Sequence, residues 1–475
     1  MNQATATTPL AHAPNSVSPA RFANAERCLE WLWPLQSSDR PGPPAAILPW
    51  ERLGRLLLLA ILLIGLPIAV NRAVNHGVSD FRGFHQASQF TLAHGLRLSD
   101  TTFAFYLPSL DVAFEAIAWM PMSIAAVIWY LLGCWSWIAL LRSVNRYLLE
   151  GFDEPRRRAI TLIGGLLVTP LAVDGLCLGS FQTFMVWWIV AGLGRIRCGR
   201  ARSGSVLLGL AIWIKLLPLL AVAYLVLKRK WKPAALAVIC AVVLDVTLSF
   251  VGYGPKVAWA EHVRWWKEQA QGTTERPLTN PIPVQEDRDT NQSLVVILRR
   301  TLTTMGINQA GVPARHYTTL LHLTSRQLQA VYLTVVGLLG LAVLAAWRRP
   351  AEQLSISQWS TEIALVSLAT LWFSPVIWGY HPTAAAPALL LVLARVCDRP
   401  KLFWTINLGW IAAVCLLGIP LAREFGEMYW TVLLLGGLLL WTSWDRRVPH
   451  DGGKLPFTKL RESGTLSADY CRSIR

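Results

Sequence analysis

A single carboxylate, Asp80, stands about ten residues beyond the first long apolar segment of the chain. Around it, Phe81, Phe84, Ala87 and Phe90–Thr91 recur on one side, which is the pattern of an amphipathic helix lying at a membrane surface. A carboxylate held where membrane meets water can act as general base on a sugar hydroxyl. The alternative is an ordinary solvated aspartate, and Asp80 alone does not decide between the two.

A pair of acidic residues lies in a short apolar segment that starts after Tyr106. Asp111 and Glu115 are one helical turn apart in this segment. Acidic residues in an apolar segment usually face a cavity or a partner. The pair therefore forms either a second carboxylate site or a solvated surface, and both interpretations stay open.

Lys215 and His381 are two further candidates in apolar surroundings. Lys215 interrupts the segment LAIWIKLLP, where a charge is costly unless it is paired or faces a wet cavity. The sequence therefore favours a functional lysine, with a phosphate as its natural partner. His381 lies close to Trp378 and Tyr380 at the end of an apolar segment. It is either a structural interface histidine or a ligand-binding one.

Three other polar positions suit a sugar or a phosphate. Gln182 begins an apolar segment, where it either bonds a sugar hydroxyl or packs against a neighbouring helix. Asn291 precedes a helix and either contacts substrate or belongs to the cap of that helix. Arg299 and Arg300 either contact a phosphate or extend toward the membrane interface.

Several well-known cofactor motifs are missing from the sequence. It contains no P-loop, no glycine-rich dinucleotide turn and no HExxH. Its eight cysteines form no Cys-x-x-Cys pair, which argues against a disulfide framework and against a metal cage. The sequence therefore predicts neither a cofactor nor a metal site. A sugar donor carried on a lipid phosphate needs none of these parts.

The elements that must position these residues are membrane helices. Of 475 residues, 53% are hydrophobic and 15% are charged, whereas soluble chains carry about 25% charged residues. The apolar blocks have about the length that crosses a ~30 Å hydrocarbon core. The net charge of +16 comes mostly from short clusters between these blocks, which is the positive-inside pattern and not a nucleic-acid surface. We expect an all-α bundle of about ten to twelve transmembrane helices.

The basic clusters also predict the topology. We place in the cytoplasm the clusters at 142–158, 195–202, 228–232, 347–349, 395–401 and 446–447. This arrangement requires that Leu107–Met120 does not cross and that Val206–Leu227 forms a hairpin with its tip near Lys215–Pro218. The segments that then share the outer side are Asn71–Met120, Asp174–Ser180, Gly252–Gln327, Ser374–Pro382 and Leu421–Met428. The functional face is therefore expected to be extracytoplasmic, at the plasma membrane.

Three parts of the chain follow from this topology. Residues 1–50, rich in Ala, Pro, Ser and Thr, are expected to form a flexible cytoplasmic tail. Residues 51–445 form the transmembrane domain, with interfacial helices in a first outer loop over 71–121 and a long outer loop over 252–327. Residues 446–475 form a second cytoplasmic tail.

An ordered set of short motifs resembles a known family. Asp80 follows the first span, Gly95 comes next, and YLP opens the short apolar segment. The motifs LGSFQT, IKLLP, NQSL and SPVIWGYHP then follow in order. Together, over roughly residues 53–420, they resemble glycosyltransferase family 87. The sequence departs from the family pattern at Leu107, where Tyr-Pro-Pro is usual, and at Ser180–Thr183, where Gly-Gln-x-Asn is usual.

The resemblance implies a fold and an activity. Family members have the C-type glycosyltransferase membrane fold, and characterised ones are polyprenyl-phosphate-mannose-dependent mannosyltransferases that act on phosphatidylinositol mannosides. By this resemblance Asp80 is the catalytic base, and His381 lies near the donor phosphate. Lys215 matches the lysine of the family's Lys-x-x-Pro.

We therefore expect an inverting hexosyltransferase that moves a sugar, mannose by resemblance, from a polyprenyl phosphate to a lipid or glycan acceptor. The expected donor- and substrate-binding residues are His381, Lys215, Gln182, Asn291, Tyr106 and Arg299. The alternative function is a transporter or flippase of a lipid-linked saccharide, which calls for charges at mid-membrane and related halves. A non-catalytic membrane assembly partner is a third possibility.

Overall fold

The computed structural model describes residues 48–75, 79–96, 106–267, 291–303 and 320–444, and within these ranges the chain forms helices and no strand. The helices are α1 (Pro49–Asn75), α2 (Asp80–His94), α3 (Ser109–Ala118), α4 (Met122–Tyr147), α5 (Glu154–Leu178), α6 (Gln182–Arg197), α7 (Ala201–Ile214), α8 (Leu219–Leu227), α9 (Trp231–Tyr253), α10 (Pro255–Trp265), α11 (Leu294–Leu302), α12 (Ser325–Trp347), α13 (Ile356–Trp372), α14 (Ala386–Val396), α15 (Pro400–Leu416), α16 (Pro420–Phe425) and α17 (Glu427–Trp444). Two short 3-10 helices cover Ala351–Gln353 and His381–Ala385.

Five helices in the described part of the chain are long and apolar enough to cross a membrane. They are α1, α4, α5, α9 and α12, and each has at least 23 residues. At about 1.5 Å per residue, this length exceeds a ~30 Å hydrocarbon core. Shorter apolar helices cover Ala201–Ile214, His381–Val396 and Pro400–Leu416. The chain is therefore a multi-pass membrane protein, as its composition predicts. The total of ten to twelve spans stays a prediction.

Two helices lie at the centre of the bundle. Every residue of α14 is buried, and so is every residue of α13 from Trp359 to Trp372. Helices that are apolar all round are expected to be buried on all sides. Small residues allow close contact here, because a Cβ placed on Gly164 of α5 would lie 2.6 Å from a methyl carbon of Leu390.

The segment predicted to form a hairpin reverses direction as expected. Near the start of α7, Ser205 donates a hydrogen bond of 2.9 Å to the backbone oxygen of Pro233, near the start of α9. Toward their other ends, the Ser109 hydroxyl links Trp213 of α7 to Asp245 of α9. Helices α7 and α9 therefore run in the same direction, and α8 must return between them. The tip of the hairpin lies between α7 and α8.

Ion pairs join the basic clusters at one end of the bundle. The Lys228 ammonium is buried, pairs with Glu362 at 2.8 Å and donates to the backbone oxygens of Trp347 and Arg349. Two more pairs at helix ends are Arg156–Asp398 and Arg197–Glu150. Five of the six clusters placed in the cytoplasm therefore share one end. The sixth, at 446–447, lies outside the described residues.

The opposite end carries the hairpin tip and several short elements. The segment Leu107–Met120 forms only the ten-residue helix α3, which at about 15 Å is too short to cross a membrane. Helix α13 stops at Trp372, and an irregular segment follows over the predicted outer segment Ser374–Pro382. Pro375 lies in that segment, and its missing N–H cannot continue a helix.

Parts of the predicted loops and both tails fall outside the described residues. Of the polar stretch Gly252–Gln327, the structure describes α10, α11 and the beginning of α12, but not residues 268–290 or 304–319. The tails predicted over 1–50 and 446–475 lie almost entirely outside the described residues. The division into these parts therefore stays a prediction.

Gly179 fixes the position of α2 against the bundle. It ends α5 in a left-handed conformation, with φ of +82°. A Cβ at this position would lie 2.3 Å from the Cβ of Phe81 and 2.9 Å from its backbone nitrogen. Only glycine therefore allows the start of α2, and with it Asp80, to approach the end of α5 this closely.

Replacing Gly179 by alanine is expected to lower stability through two effects. The left-handed backbone costs about 1–2 kcal/mol, and overlap with Phe81 adds about 1–3 kcal/mol. Gly199→Ala is the matched control, because Gly199 also ends a helix with φ of +77° but has open space around it. Thermal unfolding of the two purified variants should give a clearly larger fall in Tm for Gly179→Ala. Equal falls would contradict the packing argument.

Candidate active site

Asp80 lies in the first turn of α2, at the end of the bundle opposite the basic clusters. Ser79 caps the helix by accepting from the Arg82 N–H, and the helix N-terminus favours a negative charge nearby. The Tyr380 hydroxyl donates to Asp80 Oδ2 at 3.2 Å. Burial raises the pKa of Asp80 above its usual range, while the charge of Lys215 and the bond from Tyr380 act to lower that pKa. Asp80 is thus withdrawn from water, and Lys215 and Tyr380 offset part of the cost of burying its carboxylate.

The surroundings of His381 define which of its nitrogens carries a proton. The Trp378 backbone N–H donates to Nδ1 at 2.7 Å, and an N–H can only donate. In the neutral ring the proton is therefore on Nε2. Gln182 holds the same segment by donating to the His381 backbone oxygen at 3.3 Å. The imidazole thus presents a donor, Nε2–H, at the end of the bundle that carries Asp80.

The Lys215 ammonium, which is also a hydrogen-bond donor, lies opposite the Nε2–H of His381. It lies at the hairpin tip, just after α7, and its Nζ is 3.4 Å from His381 Nε2. Its ammonium also lies 5.7 Å from the centre of the Tyr106 ring, a cation–π distance. Two donors cannot satisfy one another, so both require an acceptor placed between or beside them. An anionic oxygen, such as that of a phosphate, fits this arrangement.

Aromatic side chains line the side of the site beside Lys215. The Tyr106 ring packs edge-on against Phe84 of α2 with centroids 5.0 Å apart, and its centroid lies 6.1 Å from that of Phe181. Burial and the nearby Asp80 charge raise the pKa of Tyr106, so its phenol stays protonated. The site therefore combines one carboxylate, two cationic or polar donors and a cluster of aromatic rings.

Asn291 holds the backbone that carries His381. Its side-chain oxygen accepts from the backbone N–H groups of Ile377 and Ser293, each at 3.0 Å. Its own backbone oxygen accepts from Arg300 at 2.9 Å. The direct role seen for Asn291 is thus to join the start of α11 to the segment before His381, and its contact with substrate stays a prediction.

The other predicted positions lie on the elements around this cluster. Arg299 is buried on α11, beside Arg300. Asp111 and Glu115 lie on α3, which is fastened to α2 because Ser88 donates to the backbone oxygen of Asp111 at 2.6 Å. Burial, and then the Asp111 charge, raises the pKa of Glu115. The structure therefore brings together Asp80, Tyr106, Gln182, Lys215 and His381, and places Asn291 behind His381.

Tyr380 belongs to this site, although it is not among the predicted site residues. In the sequence Tyr380 stands out only as a neighbour of His381, whereas in the structure it bonds Asp80; its position in an aromatic segment at a span end was the available signal. Among the described residues, no group of three His, Cys, Asp or Glu side chains is placed to hold a metal ion. The sequence also contains one Asp-x-Asp pair, Asp287 and Asp289, which lies outside the described residues.

The fold and the site place the chain in one class, that of helical multi-pass membrane proteins with a buried carboxylate near two side-chain donors, Lys215 and His381. The sequence model of glycosyltransferase family 87 matches residues 104–375, which is more than half of the chain. The chain therefore belongs to glycosyltransferase family 87. The predicted family and its all-α membrane fold class are confirmed.

Two solved structures and one negative result complete the comparisons. The Archaeoglobus fulgidus oligosaccharyltransferase in its apo form shares 11% identity over 79% of this chain and 56% of its own, with a TM-score of 0.34. The oligosaccharyltransferase AglB of the same organism, in complex with an inhibitory peptide and a dolichol-phosphate, shares 13% identity over 88% of this chain and 59% of its own, with a TM-score of 0.35. The chain thus spans little more than half of either protein. No curated protein sequence matches it.

Replacing Asn291 by alanine is expected to lower the free energy of unfolding of the protein. The variant leaves two backbone N–H groups without their acceptor, at a cost of about 1–3 kcal/mol each where they are buried. Lys215→Met is the comparison, because it removes a charge from an apolar segment and breaks no backbone hydrogen bond. Thermal unfolding should therefore show a lower Tm for Asn291→Ala only. An unchanged Tm in Asn291→Ala would contradict the role assigned to this side chain.

Proposed function

We propose that the chain is an inverting hexosyltransferase that uses a polyprenyl-phosphate sugar, with mannose as the first candidate. The observation that carries this proposal is the placement of Asp80 beside Tyr380, His381 and Lys215. A transferase of this kind needs a base for the acceptor and an anion site for the leaving group. The cluster has one of each, since Tyr380 bonds the Asp80 carboxylate and the Lys215 ammonium beside His381 interacts with the charge of Asp80.

Asp80 supplies the base. Its carboxylate takes the proton of the acceptor hydroxyl as that oxygen forms a bond to C1 of the sugar. The bond from C1 to the phosphate oxygen breaks in the same displacement, and the electron pair leaves with the polyprenyl phosphate. A single displacement inverts the configuration at C1. Tyr380 holds one carboxylate oxygen, Oδ2, and leaves Oδ1 for the acceptor.

Lys215 and His381 hold the leaving group. The ammonium and the Nε2–H are both donors and need an anionic acceptor, which the phosphate of the donor supplies. These donors stabilise the charge that grows on the phosphate as the C1–O bond breaks. Tyr106 covers the ammonium from one side and offers an aromatic face to the sugar.

We propose that the reaction takes place outside the cytoplasm, on a lipid or glycan acceptor at the plasma membrane. The support is the separation of charges within the bundle. The basic clusters share one end, and Asp80, Lys215 and His381 lie at the other. Because basic clusters are retained on the cytoplasmic side, the end that carries Asp80 faces away from it.

Asp80→Asn is expected to abolish transfer while leaving donor binding intact. Asparagine keeps the size of the side chain but cannot accept the proton, so the rate should fall by about 10²-fold or more. Membranes with equal amounts of wild type and variant are supplied with radiolabelled polyprenyl-phosphate mannose, and labelled glycolipid is measured. Labelling equal to wild type would exclude Asp80 as base. A wild type that moves intact lipid-linked sugar across the membrane without transferring it would support a flippase instead.

Tyr380→Phe is expected to move the acid limb of the pH–rate profile to higher pH. The lost hydrogen bond lowers the pKa of Asp80 in the wild type, so its removal raises that pKa. The base works only when ionised, and activity is therefore lost at a higher pH as the medium is acidified.

Tyr130→Phe serves as the control for this shift. Its hydroxyl is also buried and donates to a backbone oxygen, that of Leu62, at 2.6 Å, far along the chain from Asp80. We expect lower stability and an unchanged acid limb for this variant. If the pH–rate profile of Tyr380→Phe superimposes on that of the wild type after scaling, Tyr380 does not affect the pKa of Asp80.

A further inference from the structure

Asp245 is a buried carboxylate in α9 that the reaction above does not use. It lies in the second half of an apolar helix, with a relative exposure of 6%. An acidic side chain in such a segment is costly unless it is fully bonded. Its two oxygens bond to two different elements of the fold. Oδ1 accepts from Ser109 of α3 at 2.5 Å, and Oδ2 lies 2.8 Å from His262 Nε2 on α10.

From Asp245, hydrogen bonds through Ser109 extend to the hairpin tip. The Trp213 indole N–H donates to the Ser109 hydroxyl at 2.7 Å, so this hydroxyl must give its own proton to Asp245. Trp213 is two residues before Lys215, and Ser109 is three residues after Tyr106. A directed chain of donors therefore runs from the tip that carries Lys215, through the start of the helix after Tyr106, to the Asp245 carboxylate.

His262 of α10 contacts the second oxygen of this carboxylate. Its Nδ1 lies 2.7 Å from the backbone oxygen of Ala258, and its Nε2 lies 2.8 Å from Asp245 Oδ2. These two contacts hold the imidazole against the Asp245 carboxylate. Tyr253, at the end of α9, donates to the Pro108 oxygen at 3.0 Å, which fastens the same junction from the backbone side.

We propose that Asp245 is a positioning residue of the transferase. Through Ser109 and Trp213 it fixes the hairpin tip and the Tyr106 segment relative to each other, so that the Lys215 ammonium stays over the Tyr106 ring and within reach of His381. Asp245 does not contact the reacting groups. Its effect is on the geometry of the phosphate-binding donors, and this inference rests on the transferase function proposed above.

The first test measures geometry without activity. Hydrogen–deuterium exchange is followed in purified wild type, Asp245→Ala and Ser249→Ala. Ser249 is the matched control, since it is buried on the same helix one turn further on and its hydroxyl has no hydrogen-bond partner in the structure. We expect faster exchange around residues 210–218 in Asp245→Ala only. Equal exchange in all three proteins would overturn the proposal.

The second test measures the KM for radiolabelled polyprenyl-phosphate mannose. Asp245→Ala should raise this KM by about tenfold, because small displacements of a binding group weaken it strongly. Asp245→Asn should restore most of the affinity, since its oxygen can accept from Ser109 and its amide can donate to His262. In the Lys215→Met background, Asp245→Ala should have little further effect, because the group that it positions is already gone. The same factor in both backgrounds would indicate a merely structural role and overturn the proposal.

Trp213→Phe covers the case in which Asp245→Ala does not fold. This substitution removes one N–H and keeps an aromatic ring. Like Asp245→Ala, it should increase both the exchange rate at the hairpin tip and the KM for the donor. No change in either would overturn the proposal. A wild type without transfer activity, or an Asp80→Asn variant with full activity, would refute the transferase function instead. The exchange experiment would still decide whether Asp245 positions the tip.

Discussion

The charge of Lys215 is the constraint on which the arrangement of the site depends. An ammonium at the centre of a continuous transmembrane helix costs about 2.5–3.5 kcal/mol on translocon-insertion scales. The chain avoids this position by breaking the segment after α7 and returning through α8. Lys215 is thereby placed at a turn and not in the middle of a span. The Asp80 carboxylate and the Tyr106 ring then stand close enough to balance the ammonium.

Features that follow from the energetic cost of placing single charged residues in or beside apolar segments could be predicted from the sequence. A lysine among apolar residues, a carboxylate just beyond a span and a basic cluster at each of several span ends are all visible without a fold. The hairpin also follows, because only a reversal of direction keeps the clusters at 195–202 and 228–232 on one side. The structure has this reversal. It also forms an amphipathic helix at Asp80, with Phe81 and Phe84 buried as the pattern predicts.

Features that depend on contacts between distant residues could not be predicted. The bond from Tyr380 to Asp80 joins residues 300 positions apart, and the proton position on His381 is set by the Trp378 backbone. Nothing in the sequence around Asn291 shows that its side chain holds the segment before His381. The end of α13 is another feature that the sequence does not show. Apolar residues continue after Trp372, so hydrophobicity alone does not show where the helix stops and a segment of the site begins.

The two lysines of the hairpin region show how the same residue type takes different roles. Lys228 has three acceptors, the Glu362 carboxylate and the backbone oxygens of Trp347 and Arg349. Its donors are therefore used, and it joins helices. Within the described residues, the polar group in hydrogen-bonding range of the Lys215 ammonium is the Nε2 of His381, which is itself a donor in the neutral ring. Of these two lysines, only Lys215 therefore has a donor without an acceptor among the described residues. This difference in available acceptors, more than the presence of a charge in an apolar segment, is the reason why we assign a structural role to Lys228 and propose a ligand-binding role for Lys215.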